Sequence, residues 1–181
     1  MPEKIVGERV RLRPLEKSDL ENRVRWFNDP EVSENLILDE KLNIEKTIKW
    51  FDCAQKDESR RDFVIETVDK QPIGFIGFRK ISKKNLSACV YIVIGEKSYW
   101  GKGIGTEALS ILIRWGFFEL ALNKIWSTVK STNAVSLALL KKVGFKEEGL
   151  LKEEEILSGQ KIDIVRLGLL RSEFESRHSE Q

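Results

Sequence analysis

Tyr99-Trp100-Gly101-Lys102-Gly103-Ile104-Gly105-Thr106 stands between two long apolar stretches. Ala88 to Ile94, just upstream, is nearly all apolar and reads as a central strand. Downstream, about Gly103 to Ala121, the residues Ile104, Ala108, Ile111, Leu112 and Trp115 share one stripe, which reads as a helix. The first N–H groups of a helix have no acceptor within it, and the helix dipole adds partial positive charge there. Glycines at 101, 103 and 105 carry no Cβ to hold a bulky anion off those groups. The turn is therefore suited to a diphosphate, with each hydrogen bond to a charged group contributing about 1.5–3 kcal/mol. It is not a P-loop, because Thr106-Glu107 follows Gly105 where Lys-Ser/Thr would be needed. A dinucleotide fingerprint would need glycine at Thr106 and a parallel setting.

Working outward, the upstream pattern gives antiparallel strands. Glu8 to Pro14 alternates and predicts a first strand; Ser18 or Asp19 then caps a helix to about Asn28, stopped by Asn28-Asp29-Pro30. Leu36 to Asn43 has no regular period. Ile44 to about Gln55 reads as a helix with Ile44, Ile48 and Phe51 on one face. Phe63 to Val68 and Ile73 to Ile81 form a hairpin around residues 69–72. Downstream, Ile125 to Val129 is a strand and Asn133 to Val143 a helix. Gly144 is its left-handed C-cap, and Phe145 closes the hydrophobic contact. Leu150 to Leu157 and Ile162 to Leu169 follow as strands joined at Ser158-Gly159, and the chain after Phe174 reads as a frayed tail. This order predicts an α+β (mixed α/β) fold in a single domain over residues 1–175, with a polar tail at 176–181.

Composition narrows the function. The 181 residues include 31 basic and 29 acidic side chains, so a nucleic-acid or anionic-membrane partner is not expected. Cys53 and Cys89 are isolated, and the single histidine, His178, lies in the tail. No zinc site, disulfide framework or Cys-His or Ser-His-Asp set is expected, and no metal; both cysteines read as buried, reduced thiols. The start of the chain has no apolar signal core, and no stretch nears the roughly 20 apolar residues that span a bilayer. A cytoplasmic location is the expectation.

Gly101-Lys102-Gly103-Ile104-Gly105-Thr106-Glu107-Ala108 resembles the acetyl-CoA pyrophosphate loop of the GNAT N-acetyltransferases, and Asn133-Ala134-Val135-Ser136 with Lys142-Val143-Gly144-Phe145 resembles that family's second motif. The likeness runs from about Glu8 to Phe174. Trp100, the run Asn28-Asp29-Pro30-Glu31-Val32, and Glu148-Gly149 look most like the RimJ/RimL-type branch, which includes enzymes acetylating N-terminal amines of ribosomal proteins. The resemblance implies a central, mostly antiparallel sheet of about seven strands, splayed between Ala88–Gly95 and Ile125–Val129, with helices on both faces. It implies acetyl-CoA as cosubstrate, held by Val93, Ile94, Gly95, the loop residues Gly101, Lys102, Gly103, Ile104, Gly105 and Thr106, and Asn133. The Asn133 side chain can equally cap its helix. The Ile94 N–H would polarise the thioester carbonyl. The tyrosine acid of many GNAT enzymes would stand at Leu140, so it is absent here. Ser136 is the expected partner of the leaving sulfur, and Glu155, within Glu153-Glu154-Glu155, the expected base.

The expected activity is acetyl transfer to a primary amine, with a protein N-terminus favoured. The alternatives are a small amine (polyamine, aminosugar or antibiotic) or a non-catalytic acyl-CoA sensor. By resemblance, a homodimer is expected. Trp26 and Trp50 are candidates for the acceptor mouth, with core packing the competing reading.

Overall fold

The computed structural model describes residues 4–179. Among these residues eight strands form one sheet in the order β1-β2-β3-β4-β5-β6-β8-β7. They are β1 (Ile5–Val6), β2 (Val10–Pro14), β3 (Arg61–Thr67), β4 (Pro72–Ser82), β5 (Ser87–Ile94), β6 (Lys124–Lys130), β7 (Lys146–Leu157) and β8 (Gln160–Leu170). Every neighbouring pair is antiparallel except β5–β6. The mixed fold is as expected; the strand count is eight rather than seven, because two-residue β1 pairs with β2 and is too short to show a period.

Among the described residues six α-helices cover the two faces: α1 (Leu20–Asn28), α2 (Pro30–Ser33), α3 (Ile44–Ala54), α4 (Ile104–Phe118), α5 (Ala134–Lys142) and α6 (Arg171–Ser179). On one face the core gathers Ile104, Leu109, Leu112 and Phe117 of α4, Leu140 of α5 and Phe174 of α6 against Ile76, Phe78, Val90 and Ile125 of the sheet. On the other, Trp26, Phe27 and Val32 pack on Val64, Phe75 and Val93. Alternation along β5 therefore sends Val90, Ile92 and Ile94 to the α4 face and Tyr91 and Val93 to the α1 face.

Several local readings change. Asp29-Pro30 ends α1 and also starts α2: Asp29 accepts from the Glu31 amide at 3.0 Å and proline takes the first helical position. Asp19 precedes α1 without capping it, because its carboxylate is held by the Arg13 guanidinium at 2.7 Å. The buried side of α3 is marked by Thr47 and Ala54, whereas Ile44 is exposed. Leu36 to Asn43 is irregular but tethered, since the Asn28 amide group donates to and accepts from the Leu42 main chain, both at 2.8 Å. Cys53 is exposed and only Cys89 buried. The chain after Phe174 continues in α6 through Ser179, so the helix carries Phe174 into the core instead of fraying; Glu180 and Gln181 lie outside the described residues.

Gly144 behaves as read. Its φ is +109°, its N–H donates to Lys141 at 3.0 Å, and the Phe145 N–H donates to Leu140 at 3.0 Å. That is a complete Schellman motif, with Phe145 and Leu140 both buried in the same core.

Candidate active site

The parallel ladder between β5 and β6 is three residue pairs long: Ser87 with Lys124, Ala88 with Ile125, Cys89 with Trp126. Beyond it the strands part. The phase of β5 fixes which groups face the gap. Gly95 N–H donates to Ile73 at 2.9 Å, and Val93 and Tyr91 lie opposite Phe75 and Gly77. Antiparallel alternation then turns the main chain of residues 91, 93 and 95 toward β4 and that of 90, 92 and 94 toward β6. Two side chains in the gap agree with this phase. Ser127 Oγ donates to the Val90 carbonyl at 3.0 Å, and Trp100 Nε1 donates to the Ile94 carbonyl at 2.8 Å. The Ile94 N–H and both main-chain groups of Ile92 face the gap with no strand opposite them. Of the expected trio, then, only Ile94 offers main chain to a ligand. Val93 contributes its side chain to the cavity wall, and Gly95 does not line it. A Cβ on Gly95 would stand 2.1 Å from Trp26 Cδ2, so this glycine makes room for tryptophan. Ile92 is the residue the sequence reading passed over.

The glycine turn sits at the head of α4. Gly101 (φ +71°) and Gly103 (φ +76°) adopt the left-handed region, which accounts for both glycines. Gly103 caps α4 without any side-chain bond, and the first helical bond is Glu107 N–H to Gly103 at 3.2 Å. The amides of Ile104, Gly105 and Thr106 precede it, and these residues line the cavity with Gly101 and Gly103. Gly105 differs from the other two. A Cβ there would meet Leu139 at 3.5 Å, an ordinary contact, so backbone strain does not demand glycine. Lys102 does not line the cavity; its carbonyl accepts from Arg9 Nη1 at 2.9 Å, and its ammonium stands 5.8 Å from the Tyr99 ring centre.

Arg9 and Glu107 brace this turn, a role the sequence did not reveal. Glu107 accepts from the Arg9 amide (2.7 Å), Arg9 Nε (2.8 Å) and the Val10 amide (3.3 Å). Burial pushes the Glu107 carboxyl up, but the Arg9 amide and guanidinium and the Val10 amide together bring it below the usual glutamate range.

The far wall of the turn is α5. Asn133 Oδ1 accepts from the Ser136 amide at 3.0 Å, so Asn133 is the N-cap; it is buried and also lines the cavity. Ser136 lies one turn on and lines it too, as does Leu140. Glu155 does not. It sits on β7 opposite Ile162, past an irregularity between Leu151 and Glu155, on a strand at the sheet edge. The expected base is thus outside the cavity.

Across the gap, the α1 face supplies residues the sequence reading left unassigned. Tyr91 Oη donates to Asp62 Oδ1 at 2.5 Å, and Asp62 also takes Arg60 Nε at 2.7 Å and Arg60 Nη2 at 3.0 Å. Burial, reinforced by Asp62, pushes the Tyr91 hydroxyl well above the usual tyrosine range, so it stays protonated. The Arg23 guanidinium lies 4.0 Å from the Trp50 ring centre and 4.2 Å from that of Phe27. Trp50 lines the cavity, while Trp26 is core. The spacing Arg23–Phe27, one helical turn, is the signal that was there to be read.

Together these walls enclose about 780 Å³, running from the head of α4 through the parted strands to α1 and α3. A cleft with helix amides at one end, free strand groups at its middle and the α1 to α3 wall at the other end fits a long phosphorylated thioester meeting a second substrate. The model of the Acetyltransferase (GNAT) domain matches residues 9–146. The chain belongs to the GNAT family. It is 30% identical to the uncharacterized N-acetyltransferase p20 of Bacillus licheniformis, over 95% of this chain and 98% of that one. Identity to the spermidine N(1)-acetyltransferase of Escherichia coli K12 is 28%, over 93% and 90%. The crystal structure of spermidine N-acetyltransferase from Vibrio cholerae in complex with CoA and spermine superposes with a TM-score of 0.87 at 26% identity, covering 93% of this chain and 99% of that one. This GNAT chain is accordingly an acetyl-CoA-dependent N-acetyltransferase. No helix among the described residues is long and apolar enough to cross a membrane, and no cluster of three metal-ligating side chains occurs among them.

Proposed function

We propose that this GNAT enzyme acetylates the primary amine of a small molecule. The observation that carries the reading is the end of the cavity away from α4. It is bounded by Phe27, Val32, Leu36, Leu38, Trp50 and Tyr91 on α1 to α3 and β5, and it opens onto the parted strands. A pocket walled by three helices and the tethered segment between α2 and α3 suits a compact acceptor better than an extended peptide end. The spermidine acetyltransferases among its relatives favour the same class over a protein N-terminus.

In this reading the amides of Ile104, Gly105 and Thr106 hold the pyrophosphate of acetyl-CoA. Ile92 and Ile94 hydrogen-bond its arm along the gap, in place of a strand. The Ile94 N–H donates to the thioester oxygen, where negative charge grows as the amine attacks. The Ser136 hydroxyl faces the departing sulfur, held in position by the Asn133 cap. The amine must arrive uncharged, and one with a pKa near 8 has a far larger neutral fraction at pH 7 than a lysine-like amine near 10.4.

The test is release of free CoA thiol from acetyl-CoA with a panel of small amines beside short peptides with free N-termini. Turnover of small amines is expected, with Ser136→Ala lowering kcat more than the KM for acetyl-CoA. Turnover confined to peptides would return the protein N-terminus as acceptor; binding of acetyl-CoA with no product from any amine would make the chain a sensor.

A further inference from the structure

The acceptor pocket carries a cation with no anion to match it. Among the described residues lining the cavity, Glu31 is the one carboxylate, and its Oε1 is already 2.6 Å from Lys97 Nζ. Asp62 stands behind Tyr91 and is neutralised by the two-pronged contact with Arg60. Arg23 is left over. It lines the cavity, and among the described residues neither a hydrogen bond nor an ion pair engages its guanidinium. Its contacts are the faces of Trp50, Phe27 and, at 5.9 Å, Phe75.

Three other arginines are paired instead. Arg11 and Arg13 both reach Glu66, Arg13 also holds Asp19, and Arg60 holds Asp62. Burial depresses the Arg23 guanidinium from its usual range, only partly offset by the field of Asp62 behind the protonated Tyr91. A guanidinium presents a planar fork of donors that matches an oxyanion, and stacking on aromatic rings fixes its plane while leaving the edge free. Trp50 is shared, with Arg60 Cζ 5.0 Å from its ring centre, but Arg60 is matched by Asp62, which leaves Arg23 as the unpaired member.

We infer that the acceptor is a small primary amine that also bears an oxyanion, a carboxylate or a phosphate, and that Arg23 binds it through the free edge of its guanidinium. This rests on the small-amine reading above and narrows it. A polyamine, the acceptor named for the Escherichia coli and Vibrio cholerae relatives, would bring several positive charges to a wall where the Arg23 guanidinium already stands unmatched by carboxylate. An amine with its own anion cancels the Arg23 charge and places its nitrogen toward the parted strands, where Ile94 faces the gap.

The experiment compares matched pairs with the full-length chain: lysine against cadaverine, phenylalanine against phenethylamine, phosphoethanolamine against ethanolamine, and spermidine. Thiol release gives kcat/KM for each. The anionic member of at least one pair is expected to be preferred at least tenfold, and whether that pair is an amino acid or phosphoethanolamine identifies the oxyanion. Arg23→Gln should erase that preference through the amine KM, with the acetyl-CoA KM changed less than about twofold. Arg23→Lys, which keeps charge but loses the fork, should restore part of it and also covers the case that the glutamine variant does not fold. Spermidine or the anion-free amines outperforming their partners, with Arg23→Gln leaving the order unchanged, overturns the inference while the small-amine reading stands. If no amine yields product, that reading fails. Calorimetric titration of the anionic amines into the CoA-saturated protein then decides separately: Arg23-dependent binding supports the inference, and no binding refutes it.

Discussion

Valine at position 103 should separate the backbone of the glycine turn from its chemistry. Gly103 has φ +76°, and no side chain caps the helix it opens. An L side chain in that region costs roughly 1–2 kcal/mol, and β-branching stiffens it further. The chain can relieve the strain only by rotating out of the left-handed region, which swings the amides of Ile104 and Gly105 away from the cavity. Losing two hydrogen bonds to a charged group, at about 1.5–3 kcal/mol each, removes about 3–6 kcal/mol of binding. At about 1.4 kcal/mol per decade that is two decades or more in Kd, and tenfold is a safe lower bound if the turn relaxes. Calorimetric titration with CoA measures it, and circular dichroism confirms that the variant is folded. The control is Gly105→Ala. Its Cβ would meet Leu139 Cδ2 at an ordinary 3.5 Å and its backbone is helical, so affinity should stay within about threefold of wild type. A folded Gly103→Val protein that binds CoA as tightly as wild type would refute the assignment of the α4 amides to the pyrophosphate.

Glu107→Gln should weaken the brace to Arg9, raising the KM for acetyl-CoA and lowering Tm by a few degrees, read by thermal melts. Because the folded carboxyl is depressed below its ordinary value near 4.5, its contribution is present above that pH and is lost as pH falls through the lower, folded value; the Tm gap between wild type and variant should therefore close in acid. Gly95→Ala drives a methyl into Trp26 and should cost about 1–3 kcal/mol, seen in urea unfolding. Glu155→Ala should leave kcat within about twofold of wild type, since the side chain lies outside the cavity; a hundredfold loss would restore it as the base.

The parts of the fold set by local chemistry were legible. The glycine turn before an amphipathic helix, the Schellman end at Gly144, and the hairpins of β3 to β5 all follow from residue type and period. Ser136 and the gap-facing Ile94 were placed by motif, and the structure brings both to one cavity. What the sequence hid depends on phase and on distance along the chain. Whether Val93 or Ile94 turns its amide to the gap is a matter of register with β4, which a nearly uniform apolar run does not encode. Arg9 meets Glu107 across 98 positions, and Tyr91 meets Asp62 across 29. Glu155 was matched to the family by its distance from Ser136, a spacing that does not show where edge strand β7, irregular between Leu151 and Glu155, carries the side chain. Ile44 misled for a related reason: the first residue of a helix projects beyond the surface its later turns cover.

The short β5–β6 ladder has a consequence for kinetics. A cosubstrate that takes the place of a strand would ordinarily have to wait for two strands to come apart. Here the seam is already open, wedged at its apex by Ser127 and at its mouth by Trp100, so the ordering of those residues is complete before any encounter. Capture then needs only desolvation of a few amides, and the amide hydrogens of Ile92 and Ile94 would exchange quickly until the arm of the cosubstrate shelters them.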